Sequence, residues 1–351
     1  MSVVENDETV IVRREGRVGH LVLNRPRQIN SLTPGMIRRI DAALSEWEAD
    51  ERVRAVVVTG AGERGLCAGG DIRAIYEDVR AGRDEALQFW REEYLLNARI
   101  AEYSKPYVAV MDGITMGGGV GVSAHGSVRV VTERSKVAMP EVGIGFVPDV
   151  GGTYLLSRAP GELGTHLALT GGAIGAADAL LCGLADYFVP AGRVGWFAAD
   201  LAEVEPEEAV RRQAGDEEVL PKGELDGWRG WIDECYAAET VEEILERLTS
   251  SGVPAAKEAA DRIRGNSPTS LKVTLRAMRQ ARELGTLKEV LAQEYRCSCA
   301  GHSSADLVEG IRAQIVDKDR HPRWSPAELA QVRDADVERF FVPLGERELQ
   351  F

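Results

Sequence analysis

The sequence predicts an α/β layer fold followed by an all-helical region, and three observations carry this. "VRAVVVTG" (53–60) and "YVAVMDG" (107–113) are continuous apolar runs of strand length, as expected for strands buried on both faces of a parallel sheet. Helical spacing separates them, which is the βαβ pattern. Beyond about residue 200 such runs stop, while helical spacing persists in "TVEEILERLTSSG" (240–252) and "PAAKEAADRIRG" (254–265). The expected organisation is a core over 1–200 and a helical C-terminal region over 201–351.

Each element has a local reason. "TVIVRREGRVGHLVLNRP" (9–26) predicts two short strands around a turn at Glu15–Gly16, stopped by Pro26. In "TPGMIRRIDAALSEWEAD" (33–50) Met36, Ile37, Ile40, Ala43, Leu44 and Trp47 share one helical face. Thr33 is placed to cap that helix and Pro34 to open it. Charged amphipathic helices are expected over 71–103. "VRVVTE" (128–133) is a further buried strand, divided from the one at 107–113 by "ITMGGGVGVSAHG".

Composition narrows the function. Hydrophobic residues make up 44% of the 351, enough for a large folded core. A net charge of −14, with no basic stripe, argues against nucleic acid or an anionic membrane as partner. The acidic stretch at 201–220 is expected to be a solvated face. The five cysteines (Cys67, Cys182, Cys235, Cys297 and Cys299) are scattered and lack metal-ligand spacing, so they are expected to be reduced thiols of a cytoplasmic protein. No apolar run is long enough to cross a membrane. The five histidines show neither metal spacing nor a serine-hydrolase context, and no metal site is expected.

One motif misleads. "GAGERG" (60–65) matches the dinucleotide fingerprint and follows a buried strand, but it runs into "LCAGGD" where an apolar helix should open. No nicotinamide cofactor is expected.

Two other glycine loops carry more weight. "LCAGGDI" (66–72) and "ITMGGGVG" (114–121) each lie between a strand and a helical segment. Glycines there admit sharp turns and expose N–H groups. Two such loops on neighbouring strand ends could aim two donors at one oxygen, an oxyanion hole. In "MPEVGIGFVPDVGG" (139–152), Glu141 and Asp149 each follow a proline and are otherwise surrounded by apolar residues and glycine. The simpler alternatives are that Asp149 caps a helix and that Glu141 faces a helix dipole from its first turn.

Three segments, "GLCAGGDIRAI", "KPYVAVMDGITMGGGVGVSAHGSVRVVTERS" and "KVAMPEVGIGFVPDVGGTYLLSR", resemble the crotonase, or enoyl-CoA hydratase/isomerase, superfamily over about residues 10–200. The resemblance implies a crotonase-like spiral of ββα and βαβ units that holds an acyl-CoA. It implies that the thioester carbonyl is bound by the backbone N–H groups of Gly70 and Gly118, with Ala68, Asp71, Ile72 and Gly117 beside the substrate. It also implies a trimer-based homo-oligomer and no separate cofactor, since CoA is part of the substrate.

The acids select the branch. Hydratases of the superfamily carry a glutamate three residues after the oxyanion glycine, where this chain has Gly121, and a second that matches Glu141. Asp149 stands where they carry glycine. A glutamate in "PE" with an aspartate in "PDVGG" resembles the 3-hydroxyisobutyryl-CoA hydrolases, as do "FWREEYLLN" (89–97) and "SPTSLKVTL" (267–275). Glu93 matches a substrate-contacting glutamate of that branch. The implied activity is thioester hydrolysis, with Glu141 attacking or acting as base, and Asp149 orienting the substrate and transferring protons. The reverse assignment stays open. The alternatives are an enoyl-CoA hydratase or isomerase, and a non-catalytic acyl-CoA- or protein-binding member of the fold.

Overall fold

The computed structural model describes residues 8–214 and 220–351. β1 (Val10–Glu15) and β2 (Val18–Leu23) form an antiparallel hairpin whose turn holds Gly16 at φ +56°. α1 (Pro34–Ala49) follows. Thr33 Oγ1 accepts from the Met36 N–H, and the apolar face read from the sequence is buried in full. Gly19 of β2 leaves space for the Trp47 ring, which a Cβ would meet at 2.5 Å.

The remaining strands are β3 (Ala55–Gly60), β4 (Gly65–Cys67), β5 (Tyr107–Met111), β6 (Ile114–Met116), β7 (Val128–Val131), β8 (Lys136–Ala138) and β9 (Tyr187–Phe188). They make two sheets. The larger runs β1-β2-β3-β5-β7-β9 and is parallel from β2 onward, so β3 and β5 are interior and their continuous apolar runs are buried. The smaller, β4-β6-β8, is parallel and built from three-residue strands. "GAGERG" bridges the two sheets, from the end of β3 to the start of β4, with no helix opening at its third glycine.

α2 (Ile72–Arg80) and α3 (Glu85–Ala101) fill the charged segment, α4 (Gly118–Gly121) is a single turn, and α5 (Gly152–Ser157) follows Asp149. From residue 206 onward the described elements are all helical. One hydrophobic core joins Leu21 and Val56 of the sheet to Ile232, Leu271 and Leu291 of these later helices. The opposite face of the sheet is covered by Phe197, Leu201 and Val210. Within the acidic stretch, helix Pro206–Gln213 buries Ala209 and Val210 and leaves Glu207 in solvent, while residues 215–219 lie outside the described residues. Among the described residues no helix is long and apolar enough to cross a membrane.

Candidate active site

The small sheet places both glycine loops. β4 and β6 are parallel neighbours, with Cys67 opposite Thr115, so the chain leaves them side by side. After β4, Gly70 forms an isolated parallel bridge to Leu32, using the flanking Gly69 carbonyl and Asp71 N–H. A parallel bridge engages the groups on either side of its central residue, so the Gly70 N–H faces away from Leu32. After β6, Gly117 takes φ +50°, a conformation that favours glycine, and Gly118 begins α4 with no intrahelical acceptor for its N–H. A Cβ on Gly118 would lie 3.4 Å from the Gly70 nitrogen, so the two donors are neighbours.

A cavity of about 430 Å³ lies against these loops. Ala68, Gly70, Ile72, Gly117 and Gly118 form one wall, and Phe89, Trp90 and Phe146 an aromatic one, with Trp90 stacked on Phe146 at 5.1 Å. Leu307, Ile311 and Gln314 close it from the C-terminal helices and from the π-helical turn that follows them. Three carboxyls enter this cavity: Glu93, Glu141 and Asp149, which are 2%, 6% and 6% exposed.

Each acid has its own support. Glu141 opens a 3-10 turn (Glu141–Ile144), and its Oε2 is buried without a partner among the described residues. Asp149 does not cap α5. Gly151 occupies the cap position, and Asp149 Oδ2 instead accepts from the Tyr94 hydroxyl at 2.6 Å. Glu93 lies on the buried face of α3 with Phe89, Trp90, Tyr94 and Asn97, and its Oε1 is buried without a partner among the described residues. It is not one of the solvated acids that a charged helix suggests.

The sequence placed Asp71 beside the substrate, but its side chain turns away from the cavity. It accepts from the Ala74 N–H as the cap of α2 and from Arg25 Nη2 at 2.8 Å. At Gly121, the hydratase acid position, a Cβ would meet Val150 Cβ at 2.7 Å and Asn97 Nδ2 at 2.8 Å, so that space is already filled.

The loop carrying Asp149 is held by residues that the sequence did not single out. Val150 has φ +53°, a strained conformation for a β-branched side chain. His125 Nε2 donates to the Val150 carbonyl at 2.7 Å. Glu294, on helix Leu287–His302, accepts from the Gly151 N–H (2.6 Å), the Thr153 N–H (2.9 Å) and the Thr153 hydroxyl (2.6 Å). Ser298, one turn on, is 2.6 Å from the Tyr94 hydroxyl.

Burial sets the protonation of this cluster. It pushes Asp149 up to about 7 against the opposing Tyr94 hydrogen bond, and Glu294 up to about 8. Burial, then the nearby Asp149, raises Glu93 and Glu141 well above the carboxylate range. Burial holds the His125 and His166 rings down at about 4.

These shifts predict the pH dependence of stability. A carboxyl with a raised pKa binds its proton more tightly folded than unfolded, so its contribution is complete at acid pH and is lost as pH rises through the raised value. The buried histidines act the other way, but only below their ordinary value of 6.5. Above about pH 6.5 the carboxyls act alone, and unfolding free energy should fall towards about pH 8. The slope is up to about 1.4 kcal/mol per pH unit for each group still protonated. Denaturant unfolding across that range checks this, and a flat or rising profile contradicts it.

The comparisons with known proteins agree with this geometry. The sequence profile described as "Enoyl-CoA hydratase/isomerase" matches residues 18–341. The mitochondrial 3-hydroxyisobutyryl-CoA hydrolase of Rattus norvegicus is 44% identical over 97% of this chain and 91% of its own length. The Homo sapiens protein of the same name is 42% identical over 98% and 91%. Among solved structures, a carnitinyl-CoA dehydratase from Mycobacterium thermoresistibile superposes with a TM-score of 0.95 at 54% identity, covering 98% of this chain and 99% of that one. An enoyl-CoA hydratase from Rhodobacter sphaeroides gives 0.91 at 41% identity, covering 98% and 100%. This chain belongs to the enoyl-CoA hydratase/isomerase family, and its fold is that of the crotonase superfamily.

Proposed function

We propose that this protein hydrolyses the thioester of 3-hydroxyisobutyryl-CoA, or of a similar short 3-hydroxyacyl-CoA, to the free acid and CoA. The observation that carries the proposal is the pairing of Glu141 with Asp149 in one largely apolar cavity beside the Gly70 and Gly118 N–H groups, with the hydratase acid position at Gly121 filled by its neighbours. The names of the rat and human relatives support it.

The hydrogen bonds favour the reverse of the roles first expected for the two acids. Tyr94 donates to Asp149 and so favours its ionised form, while Glu141 Oε2 has no donor among the described residues and burial favours its protonated form. Asp149 then takes a proton from the attacking water. The carbonyl oxygen becomes an oxyanion held by Gly70 and Gly118. As the carbon–sulfur bond breaks, Glu141 gives its proton to the leaving CoA sulfur. The unpartnered Glu93 Oε1 is placed to pair with the substrate hydroxyl. No metal or separate cofactor enters this scheme, so activity should survive a chelator and exhaustive dialysis.

The names of the two solved relatives support a second reading, hydration or dehydration of an enoyl-CoA. A thiol-release assay separates the two. The protein should liberate CoA from 3-hydroxyisobutyryl-CoA faster than it hydrates crotonyl-CoA, and robust hydration without thiol release would overturn the hydrolase reading. Family membership also supports a trimer-based assembly, which light scattering on the purified protein tests. The cytoplasmic expectation rests on the free thiols, while the relatives' names place those proteins in mitochondria.

A further inference from the structure

A chain of hydroxyls runs from the Asp149 carboxyl to a main-chain carbonyl. Tyr94 Oη lies 2.6 Å from Asp149 Oδ2 and 2.6 Å from Ser298 Oγ, and Ser298 Oγ lies 2.9 Å from the Glu294 carbonyl oxygen. Tyr94 and Ser298 are fully buried. Each hydroxyl has one hydrogen and can also accept. His125 and Glu294 hold the two sides of the Val150–Gly151 peptide, which fixes the backbone that follows Asp149.

Two complete arrangements fit these three contacts. With Asp149 ionised, Tyr94 donates to the carboxylate and Ser298 donates to Tyr94 or to the Glu294 carbonyl. With Asp149 protonated, its hydrogen goes to Tyr94, the Tyr94 hydrogen to Ser298 and the Ser298 hydrogen to the carbonyl. No buried hydrogen lacks an acceptor in either state. We infer that Tyr94 and Ser298 are positioning residues that let Asp149 gain and lose a proton in place, the donor direction between Asp149 and Tyr94 reversing each time. The inference rests on the reading that Asp149 exchanges protons during the reaction.

The other titratable groups facing Asp149 are Glu93 from α3, Glu141 from the 3-10 turn and Glu294 from helix Leu287–His302, with the neutral His125 ring on the next carbonyl. The Asp149 charge raises all three glutamates, and neither variant below replaces any of these groups.

Those variants should move Asp149 in opposite directions. Tyr94→Phe removes a donor to the carboxylate, disfavours the ionised form and raises the midpoint. Ser298→Ala leaves the Tyr94 hydrogen without an acceptor only when Asp149 is protonated, disfavours that form and lowers the midpoint. From the cost of an unpaired buried donor, each shift should be about one pH unit. The test is carbon-13 NMR of protein labelled at the aspartate carboxyl, titrated without substrate, with Asp149→Asn assigning the resonance. Opposite shifts support the chain. Shifts in one direction, or no shift in Ser298→Ala, overturn it, because a proton on Asp149 Oδ1 would leave Tyr94 donating throughout. Should Tyr94→Phe fail to fold, Ser298→Ala decides alone. Failure of the hydrolase reading would appear separately, in the thiol-release assay.

Discussion

Asp149→Asn is expected to lower kcat for thioester hydrolysis by about 10²–10⁴-fold, the usual worth of a general acid or base, while the protein stays folded. Asparagine keeps the shape of the side chain and can still accept from Tyr94, so the hydroxyl chain retains its anchor. Asp149 caps no helix, and helix capping therefore cannot explain a loss. What disappears is the titrating proton. Glu141→Gln should behave similarly, and the double variant should lose far less than the product of the two effects, since both groups serve one step. Steady-state kinetics with circular dichroism measures this. A folded Asp149→Asn enzyme with full turnover would remove the paired-acid mechanism.

Gly118→Ala should be the next most damaging change, with kcat down by about 10²–10³-fold, as when one oxyanion donor is lost. A methyl there would overlap Glu93 Oε1 and lie 3.1 Å from Leu32 Cδ1, so it displaces a cavity acid and crowds the Gly70 N–H. Gly143→Ala is the contrast. Gly143 also lines the cavity, but its new methyl would meet only Asn266 Oδ1, at 3.5 Å, and the effect should be much smaller. Equal turnover in the two variants would mean that neither Glu93 nor the spacing of the Gly70 and Gly118 N–H groups matters to the reaction.

The parts of this site that were legible in the sequence are those whose signals are local. β3 and β5 announce themselves as unbroken apolar runs because they are interior strands, and α1 by its cap and apolar face. Glu141 and Asp149 stand out because their neighbours in the chain are apolar. The three-residue strands of the small sheet are too short for any period to show. The side-chain direction of Asp71 was not legible, because a residue between a glycine loop and a helix can face either way, and here its cap and Arg25 decide. Ser298 meets Tyr94 across 204 residues, and Glu294 meets Gly151 across 143. Each lies in an ordinary helical segment, and nothing near it in the chain shows what it will touch. One trace was present. The buried stripe of α3 mixes Glu93, Tyr94 and Asn97 with aromatic residues, an expensive thing to bury without a use.

The Glu294 clamp also bears on how the protein comes into being. A ribosome that has finished the whole βα portion has made both glycine loops and both proline-preceded acids, yet the helix that grips the backbone after Asp149 is still unmade. That backbone can therefore be clamped only late in translation, after residue 294 has been added. A product terminated after the βα portion would carry both glycine loops and both acids and still lack the helix that holds the backbone after Asp149.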